Sequence, residues 1–98
     1  MDIIKNCENG KLTLNVSGRL DTTTAPVLEE EFKSSLENIS ELVLDFEKLE
    51  YLSSAGLRVI LFAQKTMNRQ GKMVLKNVCS DIMDVFEITG FTDILTFE

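Results

Sequence analysis

The chain contains no histidine. That removes Ser-His-Asp and Cys-His nucleophilic catalysis and the commonest protein metal ligand. Its two cysteines, Cys7 and Cys79, lie far apart and form no CxxC pair. They read as reduced thiols, buried or half-buried as small hydrophobes, and as neither a disulfide nor a zinc site. No window approaches the ~18 uncharged apolar residues of a membrane helix. The opening residues MDIIKNCENG carry neither the basic nor the apolar region of a signal peptide. A cytoplasmic location with no membrane partner is therefore expected. Positive charge is also scarce: ten Lys and Arg face sixteen Asp and Glu, a net charge of −6. The surrounding field repels phosphate backbones, so a direct nucleic-acid partner is not expected. With no glycine-rich phosphate loop, nucleotide binding has no motif behind it, and no cofactor or metal is implied.

What is present describes an ordinary small globular protein. The 98 residues are 44% apolar and 27% charged, within the size of one domain, and no repeat, linker or low-complexity run divides them. A single domain over residues 1–98, compatible with a monomer, is expected.

Asn9-Gly10 is the strongest hairpin signal, because both residues tolerate the positive φ of a two-residue type I′ turn. After it, KLTLNVS alternates strictly and reads as a half-buried strand. Pairing across the turn sets Cys7 opposite Leu12, Lys5 opposite Leu14 and Ile3 opposite Val16, which puts a lysine on the apolar face. A bulge would explain that, and so would an inward-pointing charge guarding a sheet edge. GRLDTTTAPV then leads into a helix to about Leu36, with Thr24 or a neighbouring threonine as cap and Pro26 in its first turn. Glu29 to Glu31 favour its positive end, and Leu28, Phe32 and Leu36 mark its buried stripe. ELVLDF follows as a more central strand. A helix from about Ser54 to Gln70 ends at Gly71 in the manner of a left-handed cap, and the strand KMVLK comes next. SDIMDVFEITGF offers Ser80 as N-cap and Gly90 as stop, with Phe91 packing back on Phe86. DILTFE closes the chain as a last strand. The order β-β-α-β-α-β-α-β is that of an α/β domain with right-handed crossovers and parallel strand pairs.

The stretch LEYLSSAGLRVI, residues 49–60, carries more small residues than a helix start requires. Either Ser53 or Ser54 can supply the N-cap acceptor, a contribution of about 1 kcal/mol. Gly56 costs about 1 kcal/mol relative to alanine inside a helix. It is explained either by close packing on the preceding strand or by the approach of another molecule's backbone. A phosphate at this turn is tolerable, because unpaired N–H groups and the helix dipole favour added negative charge. Further along, about 100° per residue from Leu57 places Ile60, Leu61, Ala63 and Met67 in one apolar arc, with Phe62 outside it beside Arg58 and Lys65. Phe62 either packs under a neighbouring helix or serves an interface between the two cations.

LDFEKLEYLSSAGLRVILFAQK resembles the central segment of STAS domains, the family of bacterial anti-sigma factor antagonists, whose pattern is an apolar strand followed by Asp-Ser-Ser/Thr/Ala-Gly-Leu-Gly. GRLDTTTAPVL resembles the family's earlier Gly-x-Leu/Ile-Asp loop, and VCSDIMDVFEITGFTDILTFE its closing helix and strand. Three such segments in the right order span nearly the whole chain.

The resemblance implies a STAS-like mixed β-sheet with helices packed mainly on one face. It also implies partner switching: the unphosphorylated protein binds an anti-sigma factor that is a GHKL-type serine kinase and frees a sigma factor. Phosphorylation blocks that binding, and a serine phosphatase resets it. By the same resemblance the acceptor is Ser54. Asp21, Thr22, Thr23 and Thr24 match the family loop that shares in the partner surface, and Ser53, Gly56, Arg58 and Phe62 are expected to belong to the same surface. Ser53 stands where the family has aspartate, and Arg58 replaces its second glycine. The alternative is a STAS-type module that binds a partner or small ligand without phosphorylation, encouraged by Ser53. An enzyme ranks last, because neither Lys65 nor Asp21 carries any sign of serving a serine nucleophile as base.

Overall fold

The computed structural model describes residues 1–98 throughout. In chain order the elements are β1 (Asp2–Glu8), β2 (Lys11–Leu20), α1 (Ala25–Ser35), β3 (Glu41–Asp45), β4 (Leu49–Leu52), α2 (Ser54–Asn68), β5 (Lys72–Lys76) and α3 (Ser80–Ile88), then a 3-10 turn at Phe91–Asp93. The sheet runs β1-β2-β3-β5, with β4 pairing β2 beyond the end of β3. Only the β1–β2 hairpin is antiparallel, so the sheet is mixed.

Alternation in the strands decides which face is covered. Leu12, Leu14 and Val16 of β2, Leu42 and Leu44 of β3, and Met73 and Leu75 of β5 all point to one face. They form a single core with Leu28 and Phe32 of α1, Ile60, Ala63 and Met67 of α2, and Ile82 and Phe86 of α3. All three helices therefore contribute to one side of the sheet. On the other side Val43 and Val74 pair in register and shield each other.

Lys5 meets Leu14 in an unbroken register, so no bulge relieves it. Its ammonium instead leans over the open edge of β1 to the Ser35 hydroxyl at 3.1 Å and the Glu31 carboxylate at 3.4 Å. It is the edge-guarding charge. The irregularity lies at Gly18, with φ +88°, where the β2–β4 register shifts. The first half of β2 pairs β3 and the second half pairs β4.

Several local expectations are corrected. LEYL forms a strand of its own, β4; four residues are too few to show a period. The last strand shrinks to one bridge, Phe97 with Leu75, because the 3-10 turn takes up the preceding residues. Cys7 and Cys79 are exposed, since one sits on the edge strand and the other caps α3 from outside. Ser80 is accordingly the first helical residue, one place past the cap. Glu29 to Glu31 fall beyond the first turn of α1. Gly71 has no left-handed φ. It is required because a Cβ there would stand 1.8 Å from the Ser40 carbonyl oxygen. At the C-terminus of α3, Gly90 is left-handed, and the Phe86 and Phe91 rings lie 6.3 Å apart.

One polar group is stranded in the core. Gln64 is 7% exposed; its amide nitrogen donates to Asn68 Oδ1 at 2.8 Å, but its Oε1 has no partner. A buried orphan acceptor costs about 1–3 kcal/mol. Gln64→Met is therefore expected to raise stability by about 1 kcal/mol in urea denaturation. Gly71→Ala is expected to lower it by about 3 kcal/mol, because the obstructing atom is backbone. An alanine variant with an unshifted midpoint would contradict that contact.

Candidate functional site

The site forms where the second half of β2 and strand β4 end side by side. Leu20 and Leu52 pair in parallel, and the Ser53 N–H donates to the Leu20 carbonyl at 2.9 Å. The chain then turns into α2. Ser53 is extended (φ −100°, ψ 173°) and its Oγ accepts from the Gly56 N–H at 3.4 Å. Ser53 is thus the N-cap, and Ser54, the first helical residue, is exposed.

Gly56 is buried, and a Cβ on it would lie 2.7 Å from Leu20 Cγ and 2.8 Å from Leu52 Cδ1. Packing against the two strand ends accounts for this glycine. Its place in the site is to seat the first turn of α2 on the sheet, and it offers no surface to a partner.

The loop after β2 is built around Asp21. Its Oδ1 accepts from the Thr23 hydroxyl at 2.8 Å, the Thr23 N–H at 3.0 Å and the Thr24 N–H at 3.2 Å. The Thr24 hydroxyl donates to the Arg19 carbonyl at 2.7 Å and accepts from the Asp21 N–H at 2.8 Å. The start of α1 is therefore held by the aspartate, and the Thr24 side chain serves the loop where a capping bond was expected. These donors favour the ionised carboxyl. The Thr23 hydroxyl contributes most, and against the opposing effect of burial they bring Asp21 from the usual 3.8 down to about 2.

Thr22 and Thr23 are exposed at the tip. Thr22 shares a shallow hollow of about 210 Å³ with Pro26 and Glu29 of α1 and Ala55 and Arg58 of α2. An adjoining groove of about 300 Å³ is lined by Glu29, Arg58, Leu61, Phe62 and Lys65. Phe62 is half-buried against the core, while Arg58 and Lys65 stand in solvent. Asp21, Thr22, Thr23, Thr24, Ser53, Ser54, Arg58 and Phe62 thus lie along one end of the domain and down one flank of α2.

Two neighbours were missed by sequence reasoning. The Arg19 guanidinium lies over the Tyr51 ring, 4.1 Å from its centroid, with Nε 3.6 Å from Asp21 Oδ2. The two residues are register partners across β2 and β4. β4, at four residues, is too short to display a period, so the sequence alone does not reveal that pairing.

A family model described as the STAS domain matches residues 2–98. The chain belongs to the STAS domain family. By sequence this STAS domain is 36% identical over 88 residues to BtrV of Bordetella bronchiseptica, whose name marks it as a candidate anti-sigma factor antagonist; the match covers 88% of this chain and 76% of that protein. It is 31% identical to the anti-sigma-B factor antagonist of Bacillus subtilis, covering 94% and 84% of the two chains. In fold it is similar to the crystal structure of an anti-sigma factor antagonist from Mycobacterium paratuberculosis, with TM-score 0.88, 21% identity, and 98% and 83% of the chains covered. No helix of the domain is long and apolar enough to cross a membrane.

Because the folded pKa of Asp21 lies below its unfolded value, its stabilisation is complete above about pH 4 and is lost as pH falls through about 2. Asp21→Asn is expected to be less stable than the native chain at neutral pH. Denaturant midpoints of the two should converge between pH 4 and pH 2. A constant gap over that range would mean that the carboxylate's charge does not hold the loop.

Proposed function

We propose that this STAS domain is an anti-sigma factor antagonist that works by partner switching, with Ser54 as the phosphate acceptor. The observation that carries the reading is the exposure of Ser54 as the first residue of α2, next to a cap that another serine already supplies. Its hydroxyl is free of structural duty, and helix N–H groups with no internal partner favour a dianion there. The names of the relatives at 36% and 31% identity support the role.

In its unphosphorylated form the domain binds an anti-sigma factor that is a GHKL-type serine kinase, and the sigma factor is released. Asp21, Thr22, Thr23, Ser53, Arg58 and Phe62 meet the partner; Thr24 and Gly56 hold the surface in shape. The kinase then bonds Ser54 Oγ to the γ-phosphorus of ATP. The bond from that phosphorus to the ADP oxygen breaks, and the hydroxyl proton passes to a base of the kinase. The added charge of about −1.5 to −2 is refused by the kinase surface while the fold survives. A serine phosphatase restores the hydroxyl. The chain itself performs no catalysis, and it acts as a cytoplasmic monomer.

Ser53 supplies the cap that the family's aspartate would supply, with one negative charge fewer. That departure favours a second reading, a STAS module that binds its partner without phosphate transfer.

Incubating the protein with ATP and the GHKL-type kinases of its own genome, followed by mass mapping, separates the two. Phosphate is expected on Ser54 and absent in Ser54→Ala. Stable binding with no transfer identifies the second reading instead. Ser54→Asp is expected to keep a cooperative melt and to bind the kinase at least tenfold more weakly, or ~1.4 kcal/mol. Undiminished affinity in calorimetry would sink the switch.

A further inference from the structure

Six of the ten cations of the chain lie within 4.0 Å of a carboxylate. Four do not: Lys48, Arg58, Lys65 and Arg69. Three of those four belong to α2 or its C-cap, in a chain whose net charge is −6. Their spacing is not scattered. With about 100° per residue, Ser54, Arg58, Lys65 and Arg69 fall within an arc of about 60° on the helix. All four are exposed, and Arg69 keeps a helical backbone (φ −87°, ψ −19°).

The stripe has an apolar middle. Leu61 and Phe62, both half-buried, flank it between Arg58 and Lys65 and line the groove of about 300 Å³ with Glu29. Glu29 is drawn toward Lys33, 3.9 Å away on its own helix. From Arg58 to Arg69 the cations span about 16 Å, the length of roughly three helical turns.

We propose that this stripe is the docking face for an acidic amphipathic helix of the protein partner. Arg58, Lys65 and Arg69 meet its carboxylates, and an apolar side chain enters between Leu61 and Phe62. Phosphate on Ser54 closes the face from within by pairing with Arg58. That last step rests on the reading of Ser54 as acceptor; the docking face does not.

Ser54 and Arg58 are separated by one helical turn, with the anion on the N-terminal side, which is the favourable order for an i,i+4 pair. A guanidinium meets phosphate with two parallel donors. Neutralising Arg58 takes away the cation at the head of the stripe. Charge complementarity selects the occupant. A duplex or an anionic membrane presents a surface wider than this strip and would face the acidic remainder of the domain. A single acidic helix fits its width and length.

The test begins with a probe of stated chemistry: a synthetic amphipathic helix with glutamates spaced seven and four residues apart and leucines on the adjoining stripe, titrated into nitrogen-15-labelled protein. Amide shifts are expected at Arg58, Leu61, Phe62, Lys65 and Arg69. The double variant Lys65→Glu, Arg69→Glu should bind about tenfold more weakly. Shifts scattered over Lys11, Lys48 and Lys72, or equal affinity in the double variant, overturn the docking face. A DNA duplex or a phosphatidylserine vesicle that binds this stripe more tightly than the peptide overturns the choice of occupant.

With phosphoserine installed at position 54, phosphorus NMR should show the phosphate ionising at lower pH in the native chain than in Arg58→Gln. Identical titrations overturn the pairing. The GHKL-type kinases complete the test. A kinase that binds the native chain and the double variant equally overturns the docking face and leaves partner switching standing. A peptide that seats on the stripe while no kinase binds the native chain supports the face and removes the partner-switching reading.

Discussion

The parallel pairing of Leu20 with Leu52 is the contact on which the rest of the site depends. It exists because β2 is longer than β3: Lys11–Asn15 pair β3, and Gly18–Leu20 run on to pair β4. With the two strands ending together, the helices that follow them also begin together. The Asp21 loop and the Ser53-Ser54 turn become neighbours in space although thirty residues of chain separate them. The same contact explains Gly56, since Leu20 and Leu52 occupy the space where its side chain would be.

Around that contact the molecule divides its labour. Groups packed or hydrogen-bonded into the scaffold hold position: buried Gly56 seats α2 on the sheet, the half-buried Asp21 carboxylate gathers the N–H groups of Thr23 and Thr24, and Ser53 satisfies the N–H of Gly56. Exposed groups are thereby left free. Ser54, Thr22, Arg58 and Lys65 project from a scaffold that does not need them for its own stability. Such an arrangement tolerates added charge, because a dianion placed at the start of α2 would disturb no buried contact. The acidic balance of the chain sharpens the effect, since an unpaired cation is conspicuous to a partner only where most of the surface carries the opposite sign.

Much of this was legible in the residues. Strict alternation in KLTLNVS and the Asn9-Gly10 turn specify the hairpin and its register, down to Lys5 opposite Leu14. The Ser-Ser-Ala-Gly turn marks the helix start within one residue. Features that depend on contacts between distant segments were not legible. LEYL is too short to display a period, so β4 and the Arg19–Tyr51 stack went unseen. Gly71 looks like a left-handed cap in sequence and proves to be a point where the backbone of Ser40, just before β3, presses on the turn that follows α2. The cysteines were expected inside because their residue type usually is; the edge strand and the outer side of α3 leave them in solvent.

By itself the sequence determined the class of the domain, the identity and order of most elements, and the absence of histidine-based chemistry, because periodicity, turn residues and composition act locally or on the whole chain at once. Only the tertiary structure decided which serine caps and which is exposed, why Gly56 is glycine, and which side chains share a surface. Those are matters of what one segment meets when another, remote in sequence, is brought against it, and no local pattern records that meeting.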